Sequence, residues 1–206
     1  MKLYDYSKSS ASYRVRIALN LKGLSYHTQV VSLLDGDQNG DAYLALNPAG
    51  LVPTLVDNGQ VLTQSLAIIE YLEETYPSPS LLPADRSMRA KCRALAYDIA
   101  CDVHPLNNLR VLKHLTGPLG HSEDEKLEWY LHWLREGLGA LEKKLQYSQT
   151  AFCCDDIPTL ADICLVPQLF NARRFALDLT LYPTLKEIEQ RCQALPAFDS
   201  AHPDNV

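Results

Sequence analysis

The stretch GLVPTLVDNGQVLTQSLAIIEYLEETYP, residues 50–77, predicts two short strands followed by a helix. Its DNG triplet, residues 57–59, separates two apolar runs, which is typical of a β-hairpin because Asn and Gly tolerate the positive φ of a tight turn. Residues 64–76 then carry apolar side chains at helical spacing, and Pro77 ends the pattern. A hairpin followed directly by an amphipathic helix indicates a unit that mixes strands and helices.

Two more strands and a helix precede this stretch. Residues 2–6 and 25–33 have the composition of strands, and residues 12–22 lie between them with helical spacing and Gly23 as the stop. The resulting order, β-α-β-loop-β-β-α, predicts an α/β unit over residues 1–80.

The second half of the chain has a helical pattern in place of the alternating strands and helices of the first. Residues 77–86 hold three prolines and resemble a linker, and the strand signals fade beyond them. Thr159 and Asp162 fit a capping box before one of the later helices. Residues 86–206 are therefore predicted to be an all-helical domain that ends in a loose tail, residues 201–206. The helical patterns cover about 86–115, 123–147, 161–176 and 183–193.

Composition excludes several classes of function. The chain has 206 residues and a net charge of −6, which argues against nucleic acid as a partner. No apolar run approaches the roughly 18 residues that a membrane span needs. The first residues lack the apolar core of a signal peptide, so the cytoplasm is the expected compartment.

The six cysteines show neither metal-ligand spacing nor a disulfide framework. Free thiols are therefore expected, and no metal site is predicted. Cys101 and Cys164 lie in apolar helical patterns, so both are expected in the core.

Three short motifs are candidates for chemistry, each with a plain structural alternative. Serines in SKSSASYRVRIAL, residues 7–19, either cap a helix or prepare its N-terminus for an anion or thiolate. Val52-Pro53 is either a simple strand-starting proline or, if cis, a backbone turned toward a peptide ligand. Gln64-Ser65 either caps the next helix or holds a ligand carboxylate.

Together, these motifs resemble the glutathione transferase superfamily, and most closely its zeta class of maleylacetoacetate and maleylpyruvate isomerases. The resemblance covers nearly the whole chain and rests on SSASYRVRIALNLKG, ALNPAGLVPTL, TQSLAIIEYLEETYP, LLPAD, HPLNNLRVL and TLADICLVPQLFNARRF. It implies a thioredoxin-like N-terminal domain over residues 1–80, an all-helical substrate-binding domain over residues 86–206, and a homodimer.

The resemblance also implies roles for individual residues. Ser9 matches the partner of the glutathione sulfur, with Ser10 and Ser12 as support and cap. The implied catalytic residues are Ser9, Ser10 and Arg110. The implied glutathione-binding residues are Ser9, Ser10, Ala11, Ser12, Arg14, Val52, Pro53, Gln64, Ser65, His104 and Asn108. The implied substrate-binding residues are Lys8, His104, Asn108, Arg110 and Arg173, the last with Arg174 as its alternative.

This chain departs from the zeta-class pattern at two positions. A third feature is a proline within one of the predicted helices. Ala11 stands where many members carry cysteine, and we expect that thiol to be dispensable. Lys8 stands where arginine is frequent, which leaves the substrate preference open because lysine cannot bind a carboxylate bidentately. His104 precedes Pro105, so a break or kink in the helix is expected there.

The implied reaction is a glutathione-dependent cis–trans isomerisation of a maleyl-type keto dicarboxylate, by thiolate addition, bond rotation and elimination. Maleylacetoacetate is the leading substrate, with fumarylacetoacetate as product in aromatic catabolism. Maleylpyruvate of the gentisate pathway is the first alternative. A general glutathione transferase and a non-catalytic binding protein are the others.

Overall fold

The computed structural model describes every residue from Met1 to Val206. The chain forms two compact units, one of residues 1–81 with 193–206 and the other of residues 82–192. Residues 193–206, which the sequence had suggested belong to the helical domain, thus belong to the first unit.

The first unit has the thioredoxin-like order that the sequence predicts. Its sheet has the strand order β2-β1-β3-β4, in which β1 pairs parallel with β2 and antiparallel with β3, and β3 pairs antiparallel with β4. The elements are β1 (Lys2–Asp5), α1 (Ser10–Leu21), β2 (His27–Val30), α2 (Asp41–Leu44), β3 (Thr54–Asp57), β4 (Gln60–Thr63) and α3 (Ser65–Thr75).

The hairpin between β3 and β4 confirms the turn predicted from DNG. Asn58 and Gly59 have φ of 48° and 79°, the left-handed pair that a two-residue hairpin turn requires. Asp57 pairs with Gln60 across the turn, which sets the register of the two strands. Consequently Leu55 lies fully buried in the core.

The second unit is helical. Its elements are α4 (Arg86–Tyr97), α5 (Leu109–Thr116), α6 (Glu123–Leu145), α7 (Leu160–Arg174) and α8 (Pro183–Gln193). The long helix predicted over 86–115 is interrupted by a π-helical turn, Asp98–Val103, and a 3-10 turn, His104–Asn107. The break expected at His104-Pro105 is therefore confirmed. Close packing at the break is visible at Gly137 of α6, where an added Cβ would clash with Val103.

The capping box predicted at the start of α7 is confirmed. The Thr159 N–H donates to Asp162 Oδ2 over 2.7 Å, and the Thr159 hydroxyl donates to the same oxygen over 2.8 Å. The Cys153 N–H adds a bond of 2.8 Å to Asp162 Oδ1. Asp162 is fully buried, so these donors replace the water that its carboxylate gives up on folding.

Two expectations about burial are wrong. The last residues are not a loose tail, because a short helix α9 (Pro196–Asp199) leads into Ala201, which is fully buried. Cys101 is exposed on the π-helical turn, whereas Cys164 is buried as expected. All six cysteines are free. No helix has both the length and the apolar content that crossing a membrane would take.

Candidate active site

Ser9 directly precedes helix α1, and its role differs from the one predicted from the sequence. Its backbone is extended, with φ −77° and ψ 119°, and its Oγ accepts the Ser12 N–H over 3.3 Å. Ser9 is thus the N-cap, a role that the sequence had suggested for Ser10 and Ser12. A serine hydroxyl that accepts one bond still has its own proton to donate. Ser9 can therefore cap α1 and donate to a bound anion at the same time.

The rest of this turn is packed tightly. Ser10 and Ser12 are buried, Ala11 is half-buried, and Lys8 is exposed. The Ser12 Oγ is buried with no hydrogen-bond partner in the chain. The first turn of α1 contains no acidic residue, so no carboxylate offsets the partial positive charge of the helix N-terminus.

Arg14 links this turn to the second predicted motif. Its guanidinium is buried, and Nη1 donates to the Ser65 Oγ over 3.4 Å. Ser65 is the first residue of α3, and it too is buried. Arg14 and Ser65 are 51 residues apart in sequence, so this bond joins the N-terminal regions of α1 and α3.

Gln64 has a strained backbone. Its φ of 69° and ψ of 116° lie outside the regions that a non-glycine residue usually adopts. Such a conformation costs about 1–3 kcal/mol and persists only where the surroundings impose it, which is common at ligand sites. The Gln64 side chain is exposed and makes no capping bond, so it is available to a ligand.

The Val52-Pro53 bond is cis, the second of the two alternatives that the sequence left open. Val52 is half-buried and Pro53 is buried. Two hydrogen bonds to the Leu51 carbonyl, just before Val52, hold this segment in place. That carbonyl accepts the Tyr43 hydroxyl over 2.6 Å and the Asn47 amide over 2.7 Å. Sequence reasoning missed both donors, because neither belongs to a motif that indicates hydrogen bonding to this segment.

The second unit presents the other predicted residues around the helix break. His104 begins the 3-10 turn and is half-buried. Asn108 is the N-cap of α5, where its Oδ1 accepts the Arg110 N–H over 3.1 Å. Arg110 is exposed, and its guanidinium makes no hydrogen bond or ion pair within the chain. The capping role of Asn108 was missed, although Asn before a helix is a common cap.

Two hydrogen bonds attach this turn to α6. The Asn107 Nδ2 donates to the Tyr130 carbonyl over 3.1 Å, and the Trp129 Nε1 donates to the Leu106 carbonyl over 2.8 Å. Both bonds involve residues of α6 that precede the close packing at Gly137. The backbone on which Asn108 and Arg110 sit is therefore held in place by its neighbours.

Arg173 has a partner that the sequence did not reveal. Its guanidinium forms a two-pronged ion pair with Glu189 of α8, whose carboxylate is buried. The hydrogen bonds with Glu189 raise the pKa of Arg173 despite partial burial. Arg174 lies over the Phe170 ring instead. Among the arginines predicted to bind substrate, Arg173 is thus paired with a carboxylate, whereas Arg110 and Arg174 are not, and Arg174 donates to the Asn171 side chain.

Comparisons with known proteins agree with this geometry. Residues 8–75 match the family model described as glutathione S-transferase, N-terminal domain. A probable maleylacetoacetate isomerase of Vibrio cholerae is 50% identical over 205 residues, which covers 98% of this chain and 95% of that protein.

Two solved structures are also similar over the full length of this chain. One is a maleylpyruvate isomerase in its holo form, described as a bacterial zeta-class glutathione S-transferase, with a TM-score of 0.98, 46% identity and coverage of 100% of this chain and 98% of that one. The other is a maleylacetoacetate isomerase of Methylobacterium extorquens with bound malonate and glutathione, with a TM-score of 0.97, 41% identity and the same coverage. With half of its residues identical to a relative across almost its whole length, this chain belongs to the zeta class of the glutathione S-transferase family.

Proposed function

We propose that this protein is a glutathione-dependent enzyme that isomerises maleylacetoacetate to fumarylacetoacetate. The observation that carries the proposal is the pairing of two helix N-termini in the first unit, joined by the Arg14–Ser65 hydrogen bond. Neither α1 nor α3 has an acidic residue in its first turn, so both N-termini favour an anion. Besides the carboxylate of its glycine end, glutathione carries a thiolate and the carboxylate of its γ-glutamyl end, one for each of these two N-termini.

The residues around these N-termini fit glutathione. Ser9, with Ser10, Ala11 and Ser12 behind it in the same turn, is the proposed binding site for the sulfur. Gln64 and Ser65, with Arg14 in support, are the proposed binders of the γ-glutamyl carboxylate. Val52 and Pro53 offer their backbone to the peptide part of the ligand. The strained backbone of Gln64 supports this assignment, since strain of that kind recurs where a ligand is held.

Ser9 has a specific task in this scheme. A free thiol has a pKa near 8.5, and a hydrogen-bond donor beside a helix N-terminus stabilises the thiolate and lowers that pKa. The Ser9 hydroxyl retains a proton to donate because its capping bond uses only a lone pair. When bound, glutathione supplies the nucleophilic thiol that adds to the substrate double bond and later leaves it.

The substrate side calls for cationic groups, because maleylacetoacetate carries two carboxylates. The net charge of −6 disfavours anions in general, so attraction must come from local groups. Arg110 is the proposed principal ligand since no carboxylate in the chain balances its charge. His104, Asn108 and Lys8 are the proposed polar neighbours of the substrate. Arg173 is proposed as a weaker contributor, because Glu189 already neutralises it.

Maleylpyruvate is the second candidate substrate. The HPLNNLR motif, residues 104–110, favours it, and so does the similarity to a maleylpyruvate isomerase with a TM-score of 0.98. The two substrates share the maleyl acid and differ at the remote end. The shared acid is the part that Arg110 would bind in either case.

A homodimer and a cytoplasmic location complete the proposal. The cytoplasmic location agrees with six free cysteines, the state expected for a protein of a reducing compartment. Sedimentation of the purified protein as a single species of twice the chain mass would support the dimer, and a species of one chain mass would exclude it.

The direct test is a spectrophotometric assay of both substrates, each with and without glutathione. We expect isomerisation only when glutathione is present, and a higher kcat/KM for maleylacetoacetate. A higher kcat/KM for maleylpyruvate would reverse the order of the two candidates. Conjugation of neutral electrophiles with no isomerisation of either substrate would refute the proposal in favour of a general transferase.

A further inference from the structure

Arg16, which lies outside the residues assigned to either ligand, makes four hydrogen bonds through its guanidinium. It is completely buried, and its Nη1 donates to both Asp5 carboxylate oxygens, over 2.7 and 2.9 Å. Its Nη2 donates to the Ser7 carbonyl over 2.9 Å, and its Nε donates to the Ala201 carbonyl over 3.0 Å. One guanidinium therefore joins the end of β1, the turn after it and the C-terminal segment.

The turn that Arg16 holds is the one that delivers Ser9. The Ser9 N–H donates to the Tyr6 carbonyl over 2.9 Å, which closes a four-residue turn from Tyr6 to Ser9. Ser7, whose carbonyl binds Arg16, is the second residue of that turn. Asp5 precedes the turn, so Arg16 fixes it from the strand side as well.

The C-terminal segment, residues 193–206, covers one face of α1. Tyr13, Arg16 and Asn20 follow one another at the spacing of a helix face. The Tyr13 ring meets the His202 ring edge-on at a centroid distance of 6.0 Å. The Asn20 amide donates to the Ala197 carbonyl and to the Ser200 Oγ, each over 3.1 Å.

We propose that Arg16 is a positioning residue for Ser9, and that the C-terminal segment, by docking on α1, completes the contacts that keep the Tyr6–Ser9 turn in place. The consequence for activity rests on the proposed function, in which the Ser9 hydroxyl donates to the glutathione sulfur. A hydrogen bond to a reacting sulfur tolerates displacement of only about 0.5 Å before it weakens. Release of the C-terminal segment therefore reduces the reactivity of the Ser9 site, although the segment contacts α1 more than one helical turn away from Ser9.

The buried cation Lys22, at the C-cap of α1, supplies a matched control. Lys22 donates to Glu73 over 2.8 Å and to two backbone carbonyls, those of Tyr76 over 2.7 Å and Pro79 over 2.8 Å. It thus resembles Arg16 in burial and in its set of one carboxylate and two carbonyls. Its partners lie at the end of α3 and after it, and none belongs to the Ser9 turn.

The experiment compares two substituted full-length chains and one shortened chain with the wild type. Arg16→Lys keeps a charge for Asp5 but cannot reach all three partners, and a chain that ends after Ser200 loses the Ala201 carbonyl and His202. Lys22→Gln is the control. Amide hydrogen exchange of the peptide covering residues 6–13 is measured without glutathione, and the pH profile of kcat is measured with it.

We expect exchange in residues 6–13 to accelerate about tenfold in Arg16→Lys and in the shortened chain, and to stay unchanged in Lys22→Gln. In the same two variants kcat near neutral pH falls by on the order of tenfold and its acidic limb moves to higher pH, while the glutathione KM changes by less than about threefold.

Unchanged exchange in both variants, or equal acceleration in Lys22→Gln, overturns the proposal. So does accelerated exchange with an unmoved pH profile in an active enzyme. If the wild type itself shows no glutathione-dependent turnover, the proposed function fails, and the exchange data alone decide whether Arg16 positions the turn. Should Arg16→Lys fail to fold, the shortened chain gives the same two readouts.

Discussion

The two arginines of the first unit are buried and hydrogen-bonded to the chain. Arg110 of the second unit is exposed, and its guanidinium has no partner in the chain. Arg14 binds Ser65, and Arg16 binds one carboxylate and two carbonyls. Burying a charge is costly unless hydrogen bonds replace its water, so Arg16, whose guanidinium makes four hydrogen bonds, is a fixed part of the fold. Arg110 stays exposed to water, and in the proposed function it binds a carboxylate of the substrate. The first unit thus has buried, hydrogen-bonded polar groups, and the second has an exposed charge that we propose for substrate recognition.

The largest expected effect comes from Ser9→Ala, which removes the proposed donor to the glutathione sulfur. Turnover falls by about 10²–10³-fold, the range seen when a single donor to a developing or bound anion is lost. Stability falls by only about 1 kcal/mol, since the substitution also removes an N-cap. Steady-state kinetics and thermal unfolding measure the two effects separately.

Ser122→Ala is the matched control for that variant. Ser122 caps α6 of the second unit in a capping box with Glu125, so its loss should lower stability by a similar amount. Its turnover should equal that of the wild type. If Ser9→Ala kept full turnover, Ser9 would be a structural cap like Ser122 and nothing more.

Arg110→Ala should act on the substrate and not on glutathione. A hydrogen bond to a charged group is worth about 1.5–3 kcal/mol, so the substrate KM rises by roughly 10–100-fold while the glutathione KM stays within about twofold. Arg135→Ala, at an exposed position on α6, should change neither constant. Equal increases in both KM values would remove the distinction between the two units.

Gly137→Ala tests how the second unit holds its helix break. An added Cβ clashes with Val103, so we expect a loss of about 1–3 kcal/mol and a higher substrate KM as the turn that precedes Asn108 shifts. Gly139→Ala on the same helix has open space around it and should gain about 0.5–1 kcal/mol. Similar unfolding temperatures for the two variants would show that the close approach to Val103 does not hold the break.

The smallest effect concerns acid stability of the first unit. Burial alone would raise the pKa of Glu73, but hydrogen bonds from Lys22, Ser80 and the Leu81 N–H outweigh it and hold the pKa below its usual value of 4.5. A lowered folded-state pKa contributes stability above the unfolded pKa, and that contribution is lost as the pH falls through the folded value.

Thermal unfolding between neutral pH and about pH 3 measures this contribution. The unfolding temperature of the wild type should drop more steeply in acid than that of Glu73→Gln, which is less stable throughout but has no carboxyl to titrate there. Glu74→Gln, at the exposed neighbouring position, should keep the slope of the wild type. A wild-type slope in Glu73→Gln would mean that other carboxyls determine the acid response.

Local chemistry made much of this fold predictable from sequence. The Asn58-Gly59 turn and the Thr159–Asp162 capping box each depend on residues at most three positions apart, and both were predicted correctly. The break at His104-Pro105 follows from the proline itself. The first helix was expected over residues 12–22, whereas it begins at Ser10 with Ser9 as its N-cap.

Partners that are distant in sequence were not predictable. Nothing local to Ala201 indicates that its carbonyl accepts a bond from Arg16, 185 residues earlier, so its segment was expected to be loose. The Glu189 partner of Arg173 lies on another helix, and a charged residue there is usually solvated. Cys101 has helical spacing suited to the core, yet the π-helical turn shifts the register and exposes it.

The central claim is that the first unit activates the sulfur and the second recognises the acid, and one titration tests it directly. The ultraviolet absorbance of the thiolate reports the pKa of bound glutathione in the wild type, Ser9→Ala and Arg110→Ala. We expect a wild-type pKa well below the free value near 8.5, a return toward that value in Ser9→Ala, and no change in Arg110→Ala. An unchanged pKa in Ser9→Ala, or an equal rise in Arg110→Ala, would contradict the account.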